Sequence, residues 1–207
     1  MMRLACSSRE VGSTPMEDKF PDWFSAYAKP NFEKYLIPLA GVDNLHFLQL
    51  GVYTGDATIW LVDNVLTGKD VRLSDVDTWE GSDEDAHEFI NFNRVLDYYS
   101  HRTDHLPLVN SYIMTTTDYL CNSRLRGREY DFIYVDADHT TVGVLLDAEL
   151  AWPLLKSGGI MAFDDYEWGA HLPRFQSPKL GIDMFLNRHI WEYEVLEHGL
   201  QVWIRKL

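Results

Sequence analysis

From Gly41 onward the chain alternates short apolar runs with amphipathic stretches, the pattern of repeated strand and helix units that build a mostly parallel sheet. Strands are expected at residues 45–50, 71–76, 106–109, 131–135 and 160–163, with the third the weakest. Helices are expected from near Gly55 to about Leu66, and again from the acidic stretch 82–88. That second helix carries Phe89, Ile90, Phe92, Val95, Leu96 and Tyr99 at helical spacing. Thr140 or Thr141 can cap a third, with Val142, Leu145, Leu146 and Leu150 on its face, and Gly158-Gly159 ends it before the fifth strand. A helix at 182–189 precedes strands at 193–196 and 200–205, whose His198-Gly199 connection is short enough for an antiparallel hairpin. Upstream, Trp23, Phe24, Tyr27, Phe32 and Tyr35, followed by Leu36, Ile37 and Leu39, suggest short helices packed on this body.

With 207 residues, 46% of them hydrophobic, one substantial core is affordable and two ordinary domains are not expected. Residues 1–16 read as a loose polar tail, or as a leader before a start at Met16, and residues 17–207 as one domain: N-terminal helices over 17–43 and a core over 44–207. No run approaches the roughly 18 apolar residues of a spanning helix, and the start lacks a secretory apolar core, so a soluble, cytoplasmic protein is expected. Cys6 and Cys121 lie far apart in sequence, which fits a reducing compartment. The net charge of −14, from 18 basic and 32 acidic residues, repels phosphate backbones and anionic membranes. The densest basic cluster, 124–128, holds only three arginines. A small-molecule substrate is the expected partner, without nucleic acid or membrane, and a homo-oligomer is compatible with the sequence.

Three motifs can carry chemistry. Gln49-Leu50-Gly51-Val52-Tyr53-Thr54-Gly55-Asp56 lies at the first strand–helix junction, where a glycine turn lets backbone amides meet a nucleoside. The same two glycines also suit an ordinary structural turn. Ala57 and Thr58 stand where the dinucleotide fingerprint needs its third glycine, which disfavours nicotinamide cofactors. Asp77, with Asp75 as the alternative, ends the second strand, where an acid can accept ribose hydroxyls or cap a turn before Trp79. The third constellation is Tyr134-Val135-Asp136-Ala137-Asp138-His139 together with Phe163-Asp164-Asp165-Tyr166, two acidic clusters that end strands expected to be neighbours. Carboxylates gathered there repel one another unless a cation or protons compensate them, and an oxygen-rich site suits Mg²⁺ or another divalent cation. His139 can act as a base near neutral pH or simply cap the next helix.

On LQLGVYTGD, VDTWEG, YDFIYVDADHTTVGVLLDAELAWPLLKSGGIMAFDDYEWG, GIDMFL and QVWIRK, the chain resembles the class I S-adenosylmethionine-dependent methyltransferases of the macrocin and mycinamicin type. The likeness runs from about Leu45 to the C-terminus and is most specific over 130–169. It implies an α/β, doubly wound, mostly parallel seven-stranded Rossmann-like sheet with a final antiparallel hairpin, and methyl transfer to a hydroxyl of a sugar-bearing natural product or a phenol. By motif position, Asp136, Asp164 and Asp165 resemble metal ligands, and His139 with Asp136 the catalytic pair. The resemblance implies S-adenosylmethionine contacts from Gln49, Gly51, Tyr53, Thr54, Gly55, Asp77 and Asp136, with Asn110 or Ser111 bordering the adenine. Gln49 departs from the pattern, since many relatives place an acid there, and Asp138 adds a carboxylate. The loop 166–178, with Trp168, His171, Pro173 and Phe175, and the N-terminal aromatics are expected to wall the acceptor pocket. Two rival functions are a nicotinamide-dependent oxidoreductase and a non-catalytic binding module on the same fold.

Overall fold

The computed structural model describes residues 20–82 and 87–207; the expectation for residues 1–16 lies outside them. Seven strands form one sheet in the order β3-β2-β1-β4-β5-β7-β6. Their ranges are β1 His46–Leu50, β2 Arg72–Asp77, β3 Val109–Ile113, β4 Tyr130–Val135, β5 Leu155–Phe163, β6 Tyr193–His198 and β7 Val202–Lys206. β1 to β5 run parallel, and β7 pairs antiparallel with both β5 and β6, so the expected hairpin closes the sheet. Among the described residues six α-helices flank it: α1 Lys29–Leu36, α2 Asp56–Asn64, α3 Phe92–Thr103, α4 Thr116–Leu125, α5 Thr141–Ala151 and α6 Pro178–Arg188. A single π turn, Phe24–Ala28, leads into α1.

Both faces of the central strands are apolar because both are covered, as parallel sheets require. Phe132 and Tyr134 of β4 point toward α1 and α2, together with Phe47 and Trp203. Ile133 and Val135 point the other way, into a core shared with α4, α5 and α6. Phe32 of α1 is fully buried and meets Trp60, Phe132, Tyr134 and Trp203 edge to face. A third, smaller cluster of Trp79, Val95 and Tyr99 lies between α3 and the end of β2. No helix among the described residues is long and apolar enough to cross a membrane.

Four expectations need correction. The third strand is Val109–Ile113, not 106–109; Pro107 lies in a turn closed by the Val109 N–H on the Leu106 carbonyl, and β3 is a half-exposed edge strand whose polar Asn110 and Ser111 hide it. α3 begins at Phe92, capped by the Asn91 side chain, and leaves Phe89 outside the helix and 90% exposed. On α5, which the Thr140 hydroxyl does cap, the buried face is Val144, Asp147, Ala148 and Ala151, whereas Val142 and Leu146 face solvent. Gly158 and Gly159 lie within β5, at its register shift against β4, and α5 ends instead in the 3-10 turn Trp152–Leu154. α4 was not foreseen at all. Its sequence, TTDYLCNSRL, carries too few apolar residues for a periodic signal, and it buries Tyr119, Leu120 and Ser123.

Candidate active site

The sheet order reverses between β1 and β4, where open α/β sheets bind their ligands. A cleft of about 950 Å³ opens there, at the upper end of the range of small-molecule sites. The carboxyl ends of β1, β2, β4 and β5 form its floor, and Trp23, Phe24 and Tyr27 reach it from the N-terminal segment.

The glycine turn is built by contact and by hydrogen bonds. Gly51 has φ +84°, and a Cβ there would stand 1.9 Å from the Asp136 carbonyl oxygen, so only glycine lets β1 and β4 approach this closely. Gly55, at φ +78°, opens α2 against the Tyr99 ring. Tyr53 adopts φ +53° without being glycine and stacks on Trp23 at 4.7 Å. Asp77 fastens the turn by accepting the N–H groups of Val52, Tyr53 and Trp79 at 2.8, 3.0 and 2.7 Å. Thr54 is held by its hydroxyl on Asp56, and by Arg102, which donates to the Thr54 carbonyl and to Asp56.

Gln49 lines the cleft yet is 1% exposed, and its amide donates to Thr58 Oγ1 and Asp75 Oδ1. Asp75, the alternative acid of the second strand, is fully buried beneath it and does not line the cleft. Burial pushes the Asp75 carboxyl up, against donors from Thr58, Gln49 and Tyr99. A second acid at position 49 would meet that carboxylate head on; an amide donates to it, which is a physical reason for the departure at Gln49. Asn110 and Ser111 lie inside β3 rather than beyond its end, and neither lines the cleft. Ser111 instead hydrogen-bonds the Tyr99 hydroxyl at 2.6 Å. The residues past the true end of β3, Met114 to Thr117, take the cleft position expected of them.

On the other side, the structure gathers Asp136, His139 and Asp165. One donor atom from each lies within 4.8 Å of the others, with His139 Nε2 at 3.4 Å from Asp136 Oδ1 and 3.2 Å from Asp165 Oδ2. Asp136 is drawn in by its N–H on the Leu50 carbonyl, and Asp165 by a left-handed φ of +55°. Burial first, then the charge of Asp164, pushes the Asp136 carboxyl well up. Two oxygen donors and one imidazole suit a divalent cation, which would relieve that repulsion.

Asp164 lines the same cleft but stands outside the three-residue cluster. Its oxygens accept from the Tyr134 hydroxyl, from the Asp165 N–H at 2.8 Å and from the Gln201 amide at 3.0 Å. Gln201 in turn accepts from Asn31 and from the Trp203 indole, linking α1 and the hairpin to this carboxylate. Tyr134 and Gln201 both stand in motifs the sequence brings forward, but it assigned neither a role at the site. Asp138 lines the cleft while its Oδ1 accepts the Thr140 N–H, and Gly143 leaves room for that carboxylate. Of the foreseen acceptor wall, Trp168 lines the cleft, 5.1 Å from the His139 ring; His171, Pro173 and Phe175 do not line it.

A seven-stranded sheet in this order, with its last strand pair antiparallel and its cleft at the switch point, is the fold of the class I S-adenosylmethionine-dependent methyltransferases. The chain belongs to the methyltransferase-domain family, whose profile matches residues 48–166. Among solved structures it is similar to the O-methyltransferase from Bacillus cereus in complex with SAH, at 18% identity and TM-score 0.60, over 86% of this chain and 81% of that one. It is similar also to the MycE methyltransferase of the mycinamycin biosynthetic pathway in complex with Mg and SAH, at 13% identity and TM-score 0.60; the match covers 92% of this chain but 51% of MycE. A putative rRNA-methylase from Clostridium thermocellum aligns at 14% identity and TM-score 0.61, over 86% of this chain and 95% of that one. No curated protein matches the chain by sequence.

Proposed function

We propose that residues 17–207 form a single cytoplasmic methyltransferase domain that moves a methyl group from S-adenosylmethionine to a hydroxyl of a small molecule, with a divalent cation at Asp136 and Asp165. One observation carries this reading: the Gly51 turn lies directly against the backbone of Asp136, so a donor seated on the turn and an acceptor held at the carboxylates share one wall. The similar structures bound to SAH, one of them also to Mg, support it. A nucleic-acid acceptor is disfavoured, since the described residues lining the cleft include no lysine or arginine to meet a phosphate backbone.

In this reading the turn at Gly51, Tyr53 and Gly55 holds the methionine portion, Asp77 takes the ribose with its remaining lone pairs, and Met114 to Thr117 border the base. A cation held by Asp136 and Asp165 would acidify an acceptor hydroxyl. Transfer breaks the donor's carbon–sulfur bond and makes a carbon–oxygen bond, while the hydroxyl proton passes to His139 Nε2. Asp136 and Asp165 stabilise the imidazolium that results. Trp168, beside His139, and Trp23 with Tyr27 offer ring faces to a saccharide or phenol. Asp164, held by Tyr134 and Gln201, adds negative charge next to the ligands. A second reading is favoured by the proximity of the three donor atoms: His139 Nε2 itself completes the cation's coordination.

Calorimetric titration of the purified chain tests the donor assignment. S-adenosylhomocysteine binding in the micromolar range, with Mg²⁺ binding in the same cleft and no heat from NAD, is expected. Binding of NAD in preference to S-adenosylhomocysteine would return the oxidoreductase; tight S-adenosylhomocysteine binding without transfer to any hydroxyl acceptor would favour a binding module. Gly51→Ala is a sharper probe, because the new methyl collides with the Asp136 carbonyl and the backbone holds φ +84°. The substitution is expected to cost about 1–3 kcal/mol of stability, read by thermal melting, and to abolish S-adenosylhomocysteine binding in the fraction that folds. Wild-type affinity in that variant would remove the turn from the donor site.

A further inference from the structure

Below the base end of the cleft, one buried acid has no part in the mechanism. Asp147 of α5 is 2% exposed, and the Thr116 hydroxyl, at the first residue of α4, donates to its Oδ1 at 2.6 Å. Its other oxygen, Oδ2, is buried with no hydrogen-bond partner among the described residues. Such an acid is costly in a helix seam, where an amide or an apolar side chain would pack without the penalty. Burial pushes this carboxyl up to about 7, so it is ionised on the alkaline side of neutrality. Thr116, unlike Asp147, lines the cleft.

We propose that Asp147 is a positioning residue that holds the Thr116 hydroxyl as an acceptor at the base end of the cleft, so that the site selects a 6-amino purine over a 6-oxo purine. A hydroxyl has one proton to give, and a carboxylate can only accept. With its proton committed to Asp147, Thr116 turns lone pairs toward the cleft. An exocyclic amino group can donate to them; a carbonyl cannot, and the two acceptors repel. The location follows from the sheet order. The inference rests on the donor reading above, in which Asp77 at the end of β2 takes the ribose. The base then extends toward the next strand out, β3, and the Met114 N–H on the Asp77 carbonyl at 3.1 Å sets that strand's end beside the ribose acid.

The test compares affinities of the full chain for S-adenosylhomocysteine and S-inosylhomocysteine, which differ at the 6-position and in the proton on N1, by calorimetry at pH 8.5, so that the variants rather than wild type alone assign the preference to Thr116. Wild type is expected to bind the amino ligand roughly tenfold or more tightly. In Asp147→Asn the amide can donate to Thr116 and release its proton toward the cleft, and the preference is expected to shrink to within about threefold. A purely structural Asp147 would instead weaken both ligands alike; an unchanged ratio in Asp147→Asn overturns the proposal. Should that variant fail to fold, the threonine decides: Thr116→Ser is expected to keep the preference and Thr116→Val to lose it, and a preference that survives in Thr116→Val equally overturns it. Wild-type chain that binds neither ligand defeats the donor reading itself, an outcome distinct from binding both equally, which defeats only this inference.

Discussion

Replacing His139 by alanine is expected to lower kcat by about 10²-fold to 10⁴-fold, the range that a positioned general base contributes. The imidazole lies 3.2–3.4 Å from two carboxylate oxygens and beside the Trp168 ring, so its loss leaves the sheet and the Thr140 cap of α5 untouched. Steady-state kinetics and Mg²⁺ titration of the same variant separate its two candidate roles. A base gives a large loss in kcat with cation affinity preserved. A ligand gives a cation affinity that falls with the rate, partly restored at high Mg²⁺. A loss of only two- or threefold in rate, with cation binding intact, would reduce His139 to a residue that packs at the start of α5.

Asp165→Asn is expected to weaken cation binding by about 10²-fold, beyond the lower end of what even outer partners of a metal site contribute. The substitution isolates charge from conformation. Asp165 holds φ +55°, a region that asparagine tolerates at least as well as aspartate, so the backbone turn survives while one anionic donor disappears. Asp164→Asn provides the contrast. The Asp164 oxygens already accept from Tyr134, Gln201 and the Asp165 N–H, and an amide nitrogen placed there would face one of those donors. Its main effect is expected in thermal stability and in the geometry of the turn, with a smaller change in cation affinity. Equal losses of affinity in the two variants would return Asp164 to the set of direct ligands.

Much of the central sheet was legible because strands covered on both faces must be apolar on both, and the dense runs at β1 and β4 leave little alternative. The glycine turn and the paired acidic ends were legible for a related reason: a left-handed backbone that packs directly against a neighbouring strand, and charges that must leave the core, are local demands on residue type. β3 and α4 were not. β3 is a half-exposed edge strand and α4 a short polar helix; their apolar contacts are few, so periodicity had little to report. Because β3 lies three to four residues later than expected, the residues past its end that line the cleft are Met114 through Thr117 rather than Asn110 and Ser111.

What the chain determined on its own, then, is the order of its strands, most of its helices and the kinds of side chain found at the strand ends, because burial and backbone conformation act on each segment separately. Tertiary structure alone decided which of those side chains meet. Asp165 and His139 come together with Asp136 while Asp164 turns to Tyr134 and Gln201; Asp75 is buried under Gln49 while Asp77 fastens the turn; and Asp147 finds Thr116 from a different helix. The reason is physical: a hydrogen bond depends on distances of a few tenths of an ångström between residues far apart in sequence, and those distances are set by how helices and strands pack against each other.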